Sequence, residues 1–541
     1  MAVTLLLWSL VVLSVYLIAY YILNPDRRNA ALQKVARGGV PPPQLIKPSA
    51  DKQPLSAASR PLASSASDIA TTFPPSLRGE LSELSKSLSP EQREVLGDLS
   101  FSQERFERSL LRLDEDYATA DEDKYVYSGF SVREIKALGD FPDYSALSGV
   151  PLPKPYPEFD IDRAKPRPYR PWRWPYHQTM CMCEKANFSF PFAFFFHPRF
   201  HPMYIDIEHT ALTKLDPDWW LELESSYRER IAQRKALYQK HGPLISQHAP
   251  GSELACKELM ETALQFLCAR YPQYFSLTST SEDESNGGEK NIWFENRILG
   301  VRDDIRTKHP LMVLLDHVPE DFNLMLRDPD TGAYVLRAGI ICSALGWSLG
   351  AKFGMKLHEI HGPVPDYKEK MQFSMDRFFS KMPTSKPIQR ASWDFSIGQL
   401  LFLKAGDDEN DKEAHGKRRT QDPGLARSDV HLRVDWQTLR RLPLSGAVVF
   451  NFKAVFTPLE DLCDEPYVPS LVLKVLREGN ERILEYKNTW HTEHVVIPAL
   501  EEYEHEQIQK GIIEKDWEPR TLEESPYFPG WEKKWHAQQG F

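Results

Sequence analysis

The sequence predicts an α+β fold, a mostly antiparallel sheet flanked by helices, with an N-terminal transmembrane helix. Three observations carry this expectation. Apolar periodicity changes in the order two helices, a hairpin, two helices, several strands and more helices, without the strict strand–helix alternation of a parallel sheet. The apolar runs 322–327 and 334–342 flank Asp328-Pro329-Asp330-Thr331-Gly332, a turn sequence suited to joining antiparallel strands. Residues 1–23 contain no charged side chain.

The N-terminal run VTLLLWSLVVLSVYLIAYYIL is about 21 residues long, so as a helix it reaches about 31 Å, enough to cross a bilayer. It starts MAVT and ends YYIL, without the basic start and small-residue cleavage site of a signal peptide, so residues 1–24 are expected to be a permanent anchor. Arg27, Arg28, Lys34 and Arg37 follow the span, which puts a single-pass body on the cytosolic side, with the endoplasmic reticulum as the expected membrane. Residues 25–130 read as a Pro/Ser/Ala-rich tether with a short helix over 89–117, and 131–166 as an extended Pro-rich segment. The folded body is expected over 167–510, with a tail at 511–541.

The chain has 541 residues and a net charge of -10. That length predicts one large domain with appendages, and the absence of a basic patch interleaved with aromatics argues against nucleic-acid binding. Six cysteines (Cys181, Cys183, Cys256, Cys268, Cys342 and Cys463) show no disulfide or four-thiolate spacing, in keeping with a reducing compartment. No Gly-rich phosphate loop with a lysine occurs, so electrons for any redox chemistry would come from a separate reductase.

Along the body, Asp216 as N-cap, Pro217 at the first helical position and Gly242 as stop predict a helix with Trp220, Leu223, Tyr227, Ile231 and Tyr238 on one face. A second helix is expected over 252–270. The apolar run 311–318 reads as a strand, and the hairpin 322–327/334–342 follows. Tyr367, Met371, Met375, Phe378 and Met382 mark a helix, 393–404 and 430–436 strands, and 405–429 a charged, mobile insertion. Residues 447–456 alternate as a strand, and helices over 468–476 and 493–510 close the body.

At the centre lies the stretch 343–365, SALGWSLGAKFGMKLHEIHGPVP. Leu345, Leu349, Phe353 and Leu357 recur every four residues, one stripe of a helix whose next step is His361, stopped by Gly362-Pro363. An imidazole at the end of a buried stripe suits either an axial ligand to buried iron or a core histidine bonded to a carbonyl. His358/His361 and His491/His494 are two H-x-x-H pairs, but neither carries the Glu of H-E-x-x-H. Cys181-Met182-Cys183 lacks a second pair, and buried packing cysteines are its simpler reading.

The segment LGWSLGAKFGMKLHEIHGPVP resembles the signature of the haem-dependent oxidative N-demethylase family, a family with many fungal members. RPYRPWRWPYHQTM, LDPDWWLELESSYRERIAQRKAL, ARYPQYF, HVPEDFNLML and VDWQTLRRLPLSGAVVFNFKAVFTPL match further segments in order, over about residues 167–500. The resemblance implies a PAS-like antiparallel sheet with haem b held between sheet and helices. It implies a mono-oxygenase that oxidises the N-methyl group of a small amine and releases formaldehyde. His361, or alternatively His358, would ligate the iron, Arg390, Arg440 and Arg441 would be partners for the propionates, and Glu320 or Asp321 would hold the amine's charge. Asp435-Trp436 stands where bacterial relatives tend to carry Glu-Arg. Two other functions fit the same residues: a membrane-tethered haem sensor, and a non-catalytic interaction module.

Overall fold

The computed structural model describes residues 110–165, 213–280, 291–404, 412–479 and 481–517, with Ala537, all within the unit Arg60–Phe541. The expected anchor at 1–24, the tether before residue 110, the aromatic-rich stretch 188–204 (FSFPFAFFFHPRFHPMY) and the Cys181/Cys183 pair lie outside the described residues. No helix among the described residues is long and apolar enough to cross a membrane.

The described chain opens with two short helices, α1 (Val132–Leu138) and α2 (Tyr144–Ser148), where an extended segment was expected. Local capping explains them. Ser131 and Glu134 form a reciprocal capping box, and the Asp143 carboxylate accepts from the Ser145 and Ala146 amides. Ile135, Leu138, Tyr144 and Leu147 pack with Val126 and Phe130 against Leu254 and Leu444, so this region belongs to the body and not to a tether.

Strand β1 (Thr213–Lys214) precedes a 3-10 turn, Pro217–Trp219, capped by Asp216 as expected. The regular helix α3 starts only at Tyr227 and runs to His241. Between them the chain leaves the helical path because side chains capture its amides. Glu222 N donates to Glu320 Oε1 at 3.1 Å and Leu223 N to the Tyr271 hydroxyl at 3.3 Å. Gly242 ends α3 at φ +49°, a left-handed conformation that a side chain would strain.

Strand β2 (Ser246–His248), helix α4 (Glu253–Arg270) and a separate antiparallel sheet of β3 (Phe275–Thr280), β4 (Asn291–Asn296) and β5 (Val301–Asp304) follow. The run expected as a strand over 311–318 is helix α5 (Pro310–His317). Pro310 occupies its first turn and His309 Nδ1 accepts from Leu311 N at 3.2 Å. A fully buried apolar run of this length reads equally well as either element, and the cap decides it.

The hairpin forms as expected from β6 (Asp321–Arg327) and β7 (Tyr334–Ile340), followed by β8 (Ala344–Leu345). The central stripe is not one helix. It is two single turns, α6 (Leu349–Lys352) and α7 (Leu357–Ile360). Gly354 takes φ +77° and donates to Leu336 O at 2.9 Å, while Met355 O accepts from Leu336 N at 3.0 Å. The chain here pairs with the edge of β7 that β2 leaves uncovered instead of continuing a helix. Leu349 and Leu357 are buried, but Leu345 and Phe353 only half so.

The next expected helix is broken at Met371 into α8 (Tyr367–Lys370) and α9 (Gln372–Lys381). The single strand expected over 393–404 is divided into β9 (Ile388–Ile397), which begins earlier, and the short β10 (Phe402–Leu403) within the expected range. Part of the charged stretch forms helix α10 (Lys412–Arg419). Then come β11 (Val430–Arg441), β12 (Val448–Pro458), α11 (Val468–Glu478), α12 (Glu481–Lys487) and α13 (Trp490–Gln509).

The main sheet has seven strands in the order β1-β9-β11-β12-β6-β7-β2, every neighbouring pair antiparallel. Its two faces differ. Trp393, Leu432, Val434 and Val455 face the apolar residues of α11 and α13, including Val472, Leu476, Val496 and Leu500. The α+β class and the antiparallel sheet flanked by helices are therefore as the sequence predicts.

Candidate functional site

Side chains alternate across a strand, so the unbroken registers of β9, β11 and β12 place residues on faces. The face away from α11 and α13 carries Arg390, Ser392 and Asp394 from β9, Arg433, Asp435 and Gln437 from β11, and Phe450, Phe452 and Phe456 from β12. At one end Leu237 of α3 packs on Ala454 and Phe456. In the middle the Trp347 ring lies 6.3 Å from Phe452, centroid to centroid, and Lys352 Nζ sits 4.2 Å over Trp347. The segment from β8 to α9 thus covers an aromatic floor with a polar rim.

His361 closes this cover. It is the residue that caps α7, and its Nδ1 lies 2.8 Å from Leu357 O. A carbonyl only accepts, so Nδ1 carries the proton and the neutral ring keeps its lone pair on Nε2. The ring stacks on Tyr367 with centroids 4.9 Å apart and planes 10° from parallel. Burial, with lesser contributions from the nearby Lys352 and Arg390 charges, pushes its pKa down to about 4, so the imidazole is neutral across the physiological range. This is the state a metal-ligating histidine requires, with its other nitrogen fixed by a backbone acceptor.

Two cations flank it without anionic partners among the described residues. Arg390 is half-buried, its Nε is sealed from solvent without a hydrogen bond, and burial lowers its pKa. Burial likewise lowers Lys352 to about 8. Lys487 reaches the same region, donating to Ser392 Oγ and, at 3.2 Å, to Trp393 O. The carboxylates near these cations are Asp435, paired with Arg433 at 3.1 Å, and Asp394, whose pKa burial raises. Cations outnumber carboxylates here, which favours a dianionic guest with an apolar body.

The other residues singled out from the sequence fall elsewhere. Arg440 follows the same alternation onto the opposite face, where its guanidinium stacks 4.1 Å over the Trp220 ring; it cannot share a ligand with His361. Arg441 is fully buried and spent on the protein itself, donating to Met382 O at 2.7 Å, Tyr334 Oη at 2.9 Å, Gly446 O at 2.8 Å and Phe379 O. Asp321 is fully buried: Oδ1 accepts from Arg234 and from Cys342 N at 3.0 Å, and Oδ2 from Ser343 N at 2.7 Å. Glu320 bonds Glu222 N and, at 2.9 Å, Asn451 Nδ2. Both carboxylates hold the fold together at the start of β6.

His358 lies near Asp376 of α9, and its ring has no part in the Leu357 turn bond. His491 and His494 each bond a different carbonyl, Asn488 O at 2.6 Å and Asp422 O at 2.7 Å. Among the described residues no cluster of three or more His, Cys, Asp or Glu side chains is arranged to hold a metal ion. Burial pushes the thiols of Cys256, Cys268 and Cys342 up to about 12, which leaves them as packing groups. Sequence reasoning passed over Lys352, Trp347 and Asp394. Lys352 stands inside the central motif, and its helical spacing gave no sign that it would be left without a counter-ion.

Fold and site together define an α+β protein that presents one neutral imidazole, unpartnered cations and an aromatic floor on one face of an antiparallel sheet. A family model described as haem-dependent oxidative N-demethylase, alpha subunit-like, matches residues 211–497, rather more than half of the chain. The chain belongs to that family. The match contains every element of the main sheet and the whole His361 segment.

Proposed function

We propose that the chain binds haem through His361 Nε2 and oxidatively N-demethylates a small amine, releasing formaldehyde. One observation carries the reading: an imidazole fixed in the Nδ1–H tautomer, beside two cations that, like its Nε2, have no bonding partner among the described residues. The residues present fit the group. His361 is suited to the iron, Arg390 and Lys352 to the two propionates, and Phe450, Phe452 and Trp347 to the porphyrin plane. Bound haem supplies the dioxygen chemistry that oxidises the N-methyl carbon.

The chain's own residues supply the rest. Leu357 O holds the His361 ring and its proton in place, and Tyr367 limits its rotation by stacking. Asp394 and Asp435, on the same face as Arg390, are the carboxylates placed to attract the ammonium form of a substrate, in place of Glu320 and Asp321. The aromatic floor excludes water from the same space. We further infer haem b as the cofactor, a separate reductase as electron donor, and anchorage of the chain by residues 1–24 with the body facing the cytosol from the endoplasmic reticulum; the uncharged N-terminal run supports this.

The test is a haem titration of the detergent-solubilised full chain, followed by its absorption spectrum and by formaldehyde release from methylamines with a chemical reductant. The expected result is a Soret band at one haem per chain that is lost in His361→Ala and kept in His358→Ala. Asp394→Asn should keep the Soret band and raise KM for the amine. A Soret band unchanged in His361→Ala overturns the ligand assignment. A bound haem with no formaldehyde from any methylamine overturns the enzymatic reading and favours a haem sensor.

A further inference from the structure

Helix α9 carries one side chain that its packing does not explain. Its inward side chains, Met375, Phe378 and Phe379, pack into the core together with Met382. Its outward stripe, at every fourth residue, is Phe373, Arg377 and Lys381. Phe373 stands there 78 % exposed, while every other exposed large apolar side chain among the described residues is 53 % exposed or less. The helix cannot roll to hide it, because Arg441 donates to Phe379 O and, at 2.7 Å, to Met382 O. The charges around Phe373 are nearly all of one sign. Over residues 363–386 the exposed charged side chains are Lys368, Lys370, Arg377, Lys381 and Lys386, against Glu369 alone. Lys370 pairs with Asp366 at 3.0 Å, whereas Lys368, Arg377 and Lys386 form no ion pair among the described residues. The whole chain carries a net charge of -10, so this cationic surface is a local feature.

We propose that the outward side of α8 and α9 docks on an anionic lipid surface, with Phe373 entering the boundary between headgroups and acyl chains. Lys368, Arg377 and Lys386 meet the headgroups. A phenyl ring held in water gains free energy by entering an apolar phase, and the long stems of lysine and arginine reach past it to anionic headgroups. A convex helix stripe with one apolar tip fits a fluid bilayer, which needs no complementary shape. A protein partner would need a pocket to seat the ring. The choice of lipid over an acidic protein also rests on the anchorage proposed above for residues 1–24, which holds the body beside a bilayer. Tyr367, the residue stacked on His361, opens α8, and α9 follows directly. Docking therefore lays the cover of the His361 face along the leaflet.

The test mixes the full chain with vesicles of phosphatidylcholine, alone or with phosphatidylserine, and carries an environment-sensitive fluorophore on Phe373→Cys. The same label on Leu152→Cys, 52 % exposed beside Arg440 on the other face of the sheet, is the control. The signal of the labelled natural chain is subtracted from both. With phosphatidylserine present, spin-labelled lipid should quench the label at 373 several-fold more than the label at 152, and high salt should remove the difference. The exposed double variant Lys368→Glu/Arg377→Glu should remove it too, with the thermal midpoint unchanged. Flotation separates this contact from the anchorage. A chain that floats with both kinds of vesicle while 373 stays as open to aqueous iodide as 152 overturns the contact and leaves the anchorage standing. A chain that floats only with phosphatidylserine, with 373 quenched, overturns the anchorage and supports the contact. Quenching that is equal in both vesicles and indifferent to salt overturns the anionic surface. Shielding of 373 by polyglutamate and not by vesicles overturns lipid as the occupant.

Discussion

Replacing Asp321 by Asn tests whether this carboxylate serves the fold or a substrate. Arg234 has 1 % of its side chain exposed, and its acceptors are Asp321 Oδ1 and, at 2.7 Å, Glu320 O. Asp321 also takes the amides of Cys342 and Ser343, two of the three residues that lead from β7 into β8. Asn retains one acceptor oxygen, but its NH2 must face one of three donors, and Arg234 loses its counter-charge. Breaking a buried pair from one side costs about 3–5 kcal/mol, and a donor set against a donor adds to it. The expected loss in urea unfolding of the full chain is therefore about 3–5 kcal/mol. The double variant Asp321→Asn/Arg234→Met should recover part of it, because no charge is then left stranded. A loss below about 1 kcal/mol, with a raised KM for an amine, would refute the structural role and restore Asp321 as a substrate ligand.

Two further outcomes follow from the packing and the titrations. His361, His309 and His491 are all held near a pKa of about 4, each chiefly by burial, below the ordinary histidine value. At these three rings the unfolded chain therefore binds more protons than the native one between about pH 6.5 and pH 4, so they lower stability as pH drops through that window, while Glu258, raised by burial to about 7, works against them. Urea midpoints measured from pH 7.5 to 4 should show a proton uptake on unfolding that falls by about one in His309→Gln, and an unchanged profile in that variant would contradict the burial of the ring. At Gly339 an added Cβ would lie 2.7 Å from Phe322 O and 2.9 Å from Asn323 Oδ1, a collision with the neighbouring strand itself. Gly339→Ala should cost about 1–3 kcal/mol, read by thermal unfolding.

Much of the fold was legible where local and tertiary signals agree. The β6–β7 hairpin announced itself through its turn residues, and α4 and α13 through length and periodicity. The signal failed where a distant group took over a backbone bond. Tyr271 and Glu320 capture amides at 222–223 from residues far away in sequence, and Leu336 takes the Gly354 amide and donates to the Met355 carbonyl. His361 was found for a reason that the structure replaces: no helical stripe delivers it, yet a one-turn helix and its carbonyl do. Arg440 and Arg441 illustrate a second limit. As neighbours in a strand they serve opposite faces, and the arginine-rich composition of the turn held no information about which face the site would use.

The partner of His361 Nδ1 is a main-chain oxygen. Every residue type that position 357 can accept offers that oxygen equally, so no exchange of side chain there can delete the bond; only a change in the path of the turn can. The proton on the ring is thus guarded by backbone shape and not by residue identity. Variation at Leu357 should alter how the turn packs while leaving the tautomer untouched, whereas a proline at His361, which replaces the ring, or at Ile360, whose amide bonds Lys356 O, would unseat the arrangement at its root.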